Sequence, residues 1–139
     1  MPVMTKQHLE TFLAAEFPQV QNDFQIEQVR DMGIQVRLKV EDRHLRPGGT
    51  VSGPTMFSLA DVSVYLAILA MIGPKGLAVT TGCSVDFMRK PASGADLIAQ
   101  CTLLKLGRVL AVGDVLIYSE GVDAPVARAS MTYSIPPER

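Results

Sequence analysis

Asp61 has the clearest chemical potential of any residue in this chain, because it lies in the most apolar segment. Most residues from 54 to 72 are apolar, and no Lys or Arg lies within two helical turns of the carboxylate. A buried carboxylate without a partner is strongly destabilising, and carboxylates in such surroundings concentrate at active sites. Asp61 is therefore a candidate general base. The alternative is a polar position that faces solvent or a subunit contact.

Ser58 and Tyr65 lie three residues before and four residues after Asp61. On a helix this spacing places the three side chains on one face. Ser58 and Tyr65 are therefore candidate substrate contacts beside the candidate base.

A Gly-rich turn precedes the apolar segment and reads Gly48-Gly49-Thr50-Val51-Ser52-Gly53-Pro54. A turn that leads into a helix N-terminus presents free backbone N–H groups, and these can polarise a carbonyl oxygen. Gly53 is the candidate donor, Ser52 either caps the helix or hydrogen-bonds a substrate, and Pro54 fits the first helical position. The alternative is a tight turn with an N-cap and no ligand.

A Ser–His–Asp triad and a metal centre are both disfavoured. The residues around Ser52 do not form the nucleophile elbow, and His8 and His44 are interpreted as surface residues. The two cysteines lack metal-ligand spacing. Cys83 and Cys101 are expected to be buried free thiols in a reducing cytosol.

Basic residues flank the turns between the later strands. They are either solvated strand ends or contacts for a phosphate-bearing substrate. They are Arg89, Lys90, Lys105 and Arg108.

The length of 139 residues predicts one domain, residues 1–139. Apolar residues make up 47% of the chain, which excludes disorder and leaves apolar surface to bury between subunits. The net charge of −1 disfavours nucleic-acid binding.

The longest apolar run, residues 62–73, is shorter than the roughly 20 residues of a membrane span. With no evident signal peptide, we expect a cytoplasmic protein without a membrane partner.

Two helices and six strands are predicted from the hydrophobic pattern. A short helix begins after Thr5 and ends at Pro18, and the buried central helix covers residues 54–72. The strands cover residues 24–30, 34–41, 77–88, 96–106, 108–118 and 125–135, and residues 31–33 form a turn between the first two. Short turns favour antiparallel pairing, and the apolar helix needs cover on most sides. We therefore predict an α+β fold, with a curled antiparallel sheet of five to six strands around one long central helix.

Several segments in order resemble hot-dog-fold acyl-CoA thioesterases, in particular the phenylacetate-pathway thioesterase-like branch of the 4-hydroxybenzoyl-CoA thioesterase superfamily. The resemblance covers about residues 34–135. The stretch of residues 42–65 resembles the family motif N-x-x-G-x-x-H-G-G followed by a helix with L-A-D. Further similarity lies in AVTTGCSVDFMRKP at 78–91, LGRVLAVGDV at 106–115 and VARASMTY at 126–133.

The resemblance implies the hot-dog fold and hydrolysis of an acyl-CoA thioester without metal or other cofactor. It also implies a homodimer, or a dimer of dimers, with active sites at the subunit interface. The Gly53 N–H would polarise the thioester carbonyl, and Asp61 of the other subunit would activate water or attack the acyl carbon. Ser52 joins this expected catalytic set. The expected contacts to the acyl-CoA substrate are Arg46, Pro54, Ser58, Tyr65, Thr81, Arg89, Lys90 and Arg108.

Three positions depart from the family motif. Arg46 stands where the family has Asn, Ser52 stands where it has His, and Pro54 stands in place of the second Gly. Two other functions therefore stay open. One is a non-catalytic acyl-CoA binding protein. The other is a hot-dog dehydratase, which is the least favoured because that chemistry usually needs a His beside the carboxylate.

Overall fold

The computed structural model describes residues 1–18, 22–74 and 77–137. In chain order the elements are α1 Lys6–Glu16, β1 Phe24–Arg30, β2 Gly33–Leu38, a 3-10 turn Asp42–His44, α2 Gly53–Ile72, β3 Val79–Phe87, β4 Leu97–Leu106, β5 Leu110–Ser119 and β6 Ala127–Ser134.

The six strands form one antiparallel sheet in the order β1-β2-β4-β5-β6-β3. Helix α2 packs against the inner face of this sheet and contacts all six strands, most extensively β4. The predicted hot-dog arrangement of a curled sheet around a central helix is therefore confirmed, with six strands in the sheet.

Helix α2 forms the centre of the core, because 12 of its 20 residues are buried. Its close approach to β5 depends on Gly113, where a Cβ atom would lie 3.2 Å from both Val64 methyl carbons. By length and composition alone this 20-residue helix could cross a membrane, a test that the buried core helix of a fold also passes. In this fold its apolar side chains pack against the sheet.

Helix α1 begins as predicted, at a cap formed by Thr5. The Thr5 hydroxyl accepts the His8 N–H at 3.1 Å, and the His8 ring accepts the Thr5 N–H at 3.2 Å. Leu9 and Leu13 on the inner face of the helix are buried in the core. The helix ends at Glu16, and Phe17 is its C-cap, because Pro18 disfavours helical backbone at the residue before it.

Strand β3 lies at an edge of the sheet and, among the described strands, pairs with β6 alone. All nine of its residues are exposed or half-buried, and the side chains of Val79 and Phe87 are 56% and 53% exposed. The prediction that Cys83 is buried was therefore wrong, because Cys83 lies exposed on this edge strand. Cys101 is buried in β4 as expected, and burial raises the pKa of its thiol to about 12.

Arg37 joins three carboxylates at one corner of the sheet. Its guanidinium contacts Glu27 at 2.6 Å, Asp96 at 2.9 Å and Glu120 at 2.8 Å, and these residues lie on or beside three different strands. Burial by itself raises the pKa of Glu27 and of Asp96. Hydrogen bonds outweigh burial and lower both pKa values. Glu27 accepts hydrogen bonds from Arg37 and Gln35, and Asp96 accepts them from the Val40 N–H and Arg37.

We expect Arg37→Gln to lower the free energy of unfolding by about 1–2 kcal/mol at neutral pH. Carboxylates with lowered pKa values stabilise the fold above their unfolded pKa, near 4, and this stability is lost as the pH falls through their folded values. The wild type should therefore lose stability between about pH 5 and pH 3, and Arg37→Gln should lose less. Urea unfolding across this pH range measures both effects.

Arg128→Gln is the matched control, because Arg128 forms an exposed ion pair with Asp86. Its unfolding free energy should stay within about 0.5 kcal/mol of the wild type. Equal losses in the two variants would show that Arg37 has no special part in stability.

Candidate active site

The Asp61 carboxylate is half-buried and is held by two hydroxyl groups from neighbouring strands. Thr80 of β3 donates to Oδ1 at 2.5 Å, and the Tyr133 hydroxyl of β6 lies 2.8 Å from the same oxygen. The Tyr133 hydroxyl also lies 3.0 Å from the main-chain oxygen of Asp61. These neutral donors make half-burial of the carboxylate tolerable without a cation.

Both hydrogen bonds to the carboxylate end on Oδ1. Oδ2 accepts no hydrogen bond from the residues that the structure describes. The carboxylate is thus fixed in orientation while one oxygen remains available, which suits a group that must accept a proton or attack an electrophilic carbon.

Thr80, and not Thr81, is the residue of β3 that reaches Asp61. A bulge separates the pairs Thr80↔Tyr133 and Gly82↔Thr132, so Thr81 is the extra residue. The Thr81 side chain is exposed and donates to the Thr132 carbonyl at 3.3 Å. Gly82 is the local sequence signal for this bulge, because an isolated glycine within a strand favours one. Without the bulge, regular alternation from Cys83 would place Thr81 on the inner face.

Tyr133 contacts the carboxylate, and the Tyr65 ring lies next to the Tyr133 ring. Their rings are 6.5 Å apart, and Tyr65 also packs edge-on against Phe17. Burial, and then the neighbouring Asp61 charge, raises the pKa of Tyr133 well above its usual range. Burial also raises the pKa of Tyr65, with a smaller contribution from Glu16. Tyr133 therefore stays protonated and remains a donor to Asp61.

Gly53 is the first residue of α2, where backbone N–H groups have no partner within the helix. Ser52 is the N-cap, and its hydroxyl accepts the Thr55 N–H at 3.3 Å and contacts the Thr55 hydroxyl at 2.8 Å. A Cβ on Gly53 would lie 3.3 Å from the Phe87 ring, so β3 passes close to the helix start. The Ser52 hydroxyl is engaged in capping, as one of the two interpretations predicted.

A cavity of about 460 Å³ opens beside Gly53. Arg46, Arg89 and Lys90 contribute its charged side chains, and none of its lining residues in the described part of the chain is acidic. The remaining lining includes the apolar side chains of Met56 and Phe87. Such a cavity favours a ligand that carries both anionic and apolar groups.

The other predicted contact residues lie apart from this cavity. Pro54 and Ser58 line a smaller cavity of about 200 Å³ on another side of the helix start, together with His44. Arg108 is exposed in the turn between β4 and β5, at the end of the sheet nearer Asp61. His44 is buried, with 6% of its surface exposed, so its predicted surface position was wrong.

Gly53 and Asp61 are separated by eight residues of one continuous helix. At 1.5 Å per residue their backbones lie about 12 Å apart along the helix axis. One substrate carbonyl therefore cannot contact both groups of a single chain. Within one chain the two candidate groups therefore lie near opposite ends of the exposed strand β3.

Comparison with known proteins points to one family. A family model described as the thioesterase superfamily matches residues 48–126. A Pseudomonas aeruginosa protein named as an esterase is 30% identical over 101 residues, which cover 73% of this chain and 74% of that protein.

Solved structures agree with these matches. A crystal structure named as a thioesterase from Silicibacter sp. TM1040 is 60% identical, covers 99% of this chain and 95% of its own, and has a TM-score of 0.93. The phenylacetic acid degradation protein PaaI from Thermus thermophilus is 27% identical, with coverage of 86% and 99% and a TM-score of 0.73.

The raised pKa of Tyr133 predicts a loss of stability in alkali. A group whose folded pKa is raised stabilises the fold fully below its unfolded pKa, near 10 for Tyr, and this stability is lost as the pH rises. Tyr133→Phe should therefore lose less stability than the wild type between about pH 9 and pH 11. Urea unfolding over this range is the measurement. Identical slopes for the wild type and Tyr133→Phe would contradict the prediction.

Proposed function

Because this chain belongs to the thioesterase superfamily, we propose that it hydrolyses an acyl-CoA thioester to the free acid and CoA. The observation that carries the proposal is the Asp61 carboxylate, with Oδ1 held by Thr80 and Tyr133 and with Oδ2 available. A carboxylate fixed in this way is suited to deliver an oxygen nucleophile to a thioester carbon.

In the proposed reaction, Oδ2 of Asp61 takes a proton from water while the water oxygen bonds to the thioester carbon. Negative charge develops on the carbonyl oxygen, and the Gly53 N–H and the positive end of α2 stabilise it. The C–S bond then breaks, the electron pair leaves with sulfur, and the protonated Asp61 returns the proton to the thiolate. Direct attack by Oδ2 on the acyl carbon, followed by hydrolysis of the resulting anhydride, is the second route that this geometry allows.

The proposed site combines two chains, since Gly53 and Asp61 of one chain lie too far apart. In each chain Asp61 lies at the Thr80 end of β3 and Gly53 lies at the Phe87 end. Antiparallel pairing of two β3 edges about a two-fold axis brings opposite ends together, so that Asp61 of one protomer meets Gly53 of its partner. Such pairing also covers the exposed Val79 and Phe87.

The cationic cavity beside Gly53 is the proposed site for the phosphates of CoA. Arg46, Arg89 and Lys90 supply positive charge, and the apolar side chains of Phe87 and Met56 suit the pantetheine arm. In the proposed dimer Arg108 comes from the Asp61 side of the same site. Cytoplasmic location remains our proposal and follows from the substrate class.

Asp61→Asn should lower kcat by about 10²–10⁴-fold on the acyl-CoA that the wild type prefers. The measurement is release of free thiol from a panel of aromatic and aliphatic acyl-CoAs. Asp114→Asn is the matched control, because Asp114 is an exposed carboxylate on β5 facing away from α2, and it should keep the wild-type rate.

Equal rates for Asp61→Asn and the wild type would reject Asp61 as the catalytic group. Tight acyl-CoA binding by the wild type without turnover would instead favour the non-catalytic binding protein, in which Arg46 and Ser52 replace the family Asn and His.

A mixing experiment tests whether the site is shared between chains. Gly53→Pro removes the proposed N–H donor. Because the new ring lies beside Phe87 and directly before Pro54, circular dichroism and thermal unfolding must show that this variant is folded. Gly53→Pro and Asp61→Asn should each be inactive alone. Refolded together at equal concentrations, they should recover about one quarter of wild-type activity, because half of the dimers then contain one intact site. A mixture as inactive as its components would reject the shared site.

A further inference from the structure

His44 is a buried polar residue to which the proposed reaction gives no part. It lies at the end of the 3-10 turn Asp42–His44, directly before the segment that carries Arg46 and Gly53. It is one of three buried polar residues in the part of the chain that the structure describes, the others being Ser63 and Ser119. Burial of an imidazole is unfavourable unless its nitrogens are hydrogen-bonded, so its partners indicate why it is there.

The ring of His44 is hydrogen-bonded at both nitrogens. The Glu41 N–H donates to Nδ1 at 2.9 Å, so Nδ1 carries no proton and the neutral ring has its hydrogen on Nε2. Nε2 lies 3.3 Å from the Asp23 carboxylate. Arg43 contacts both Asp23 and Glu41, so the charged groups around the ring are paired with one another.

The main chain of His44 is bonded to the start of α2. Its carbonyl oxygen accepts the Ser52 N–H at 2.9 Å and lies 3.5 Å from the Thr55 hydroxyl. Ser52 is the N-cap, and the next residue is Gly53. The position of the His44 carbonyl therefore sets the position of the cap and of the Gly53 N–H.

The segment between His44 and Ser52 is a closed turn with its own hydrogen bonds. Leu45 and Val51 form a β-bridge, and the Arg46 N–H donates to the Thr50 carbonyl at 2.8 Å. Gly48 and Gly49 have φ values of 105° and 86°, which side-chain-bearing residues rarely adopt. Because these hydrogen bonds hold the turn together, a displacement of His44 displaces the whole turn.

We propose that His44 is a positioning residue, which anchors the turn 44–52 so that the Gly53 N–H and Arg46 are held toward the thioester. This inference rests on the proposed function. The imidazole is fixed by Glu41 and Asp23, its carbonyl holds Ser52, and Ser52 fixes the first turn of α2. An N–H group stabilises developing charge on a carbonyl oxygen only if it is held at the right place before the reaction, so a small displacement lowers kcat more than it weakens substrate binding.

Three variants test the proposal. His44→Leu removes both ring hydrogen bonds, and we expect kcat to fall about 10–100-fold with little change in KM. His44→Asn places an amide oxygen near the position of Nδ1, where it can accept the Glu41 N–H, and it should recover most of the wild-type kcat. Thr55→Val leaves the ring alone and removes the hydroxyl between the His44 carbonyl and Ser52, and it should lower kcat in the same direction.

The Gly53 amide resonance in ¹H–¹⁵N NMR spectra provides a second measurement that does not depend on catalysis. It should shift in His44→Leu and stay near its wild-type position in His44→Asn. Thermal unfolding of each variant shows that kcat is measured on folded protein.

A lower melting temperature for His44→Leu, with wild-type kcat and an unmoved Gly53 resonance, would overturn the positioning role. Failure of His44→Asn to recover kcat would overturn it as well. A wild type that hydrolyses no acyl-CoA rejects the proposed function, and the Gly53 resonance still decides whether His44 positions the helix start.

Discussion

Helix α2 is apolar on nearly every side, and its burial requires cover from all six strands. The sheet has to curl around the helix to supply that cover. The packing brings β3 and β6 to the side of the helix where Asp61 lies, and there Thr80 and Tyr133 supply the hydroxyls that its carboxylate needs. The contacts that form the core therefore also orient the candidate base.

The straight helix imposes a second condition, because it holds Gly53 and Asp61 at a fixed separation. Strand β3 runs past both positions, with Thr80 at one and Phe87 at the other. The exposed edge of β3 is the surface on which the second copy of the proposed dimer would complete both proposed half-sites. In the proposed dimer, the same edge serves assembly and chemistry.

Local sequence patterns predicted the features that depend on neighbouring residues. The central helix, the cap at Thr5 and the turn before Gly53 all follow from short-range spacing and turn chemistry, and the apolar surroundings of Asp61 follow from composition. Three features depend on tertiary packing and were missed. Cys83 is exposed because its strand lies at the sheet edge, His44 is buried because the turn folds back onto Asp23, and Thr80 replaces Thr81 because of a bulge.

The bulge at Thr81 has a consequence for how this strand tolerates changes in length. Thr80 keeps its place opposite Tyr133, and Gly82 keeps its place opposite Thr132, whether or not a residue stands between them. A deletion of Thr81 would therefore leave the same side chains facing the helix. Deletion of one residue between Gly82 and Phe87 would instead shift the pairing on one side of the deletion. The side chains of that part of β3 would then exchange the inner and outer faces of the sheet. The strand therefore tolerates loss of the bulge residue, whereas loss of a residue nearer Phe87 would put one of its two ends out of register with β6.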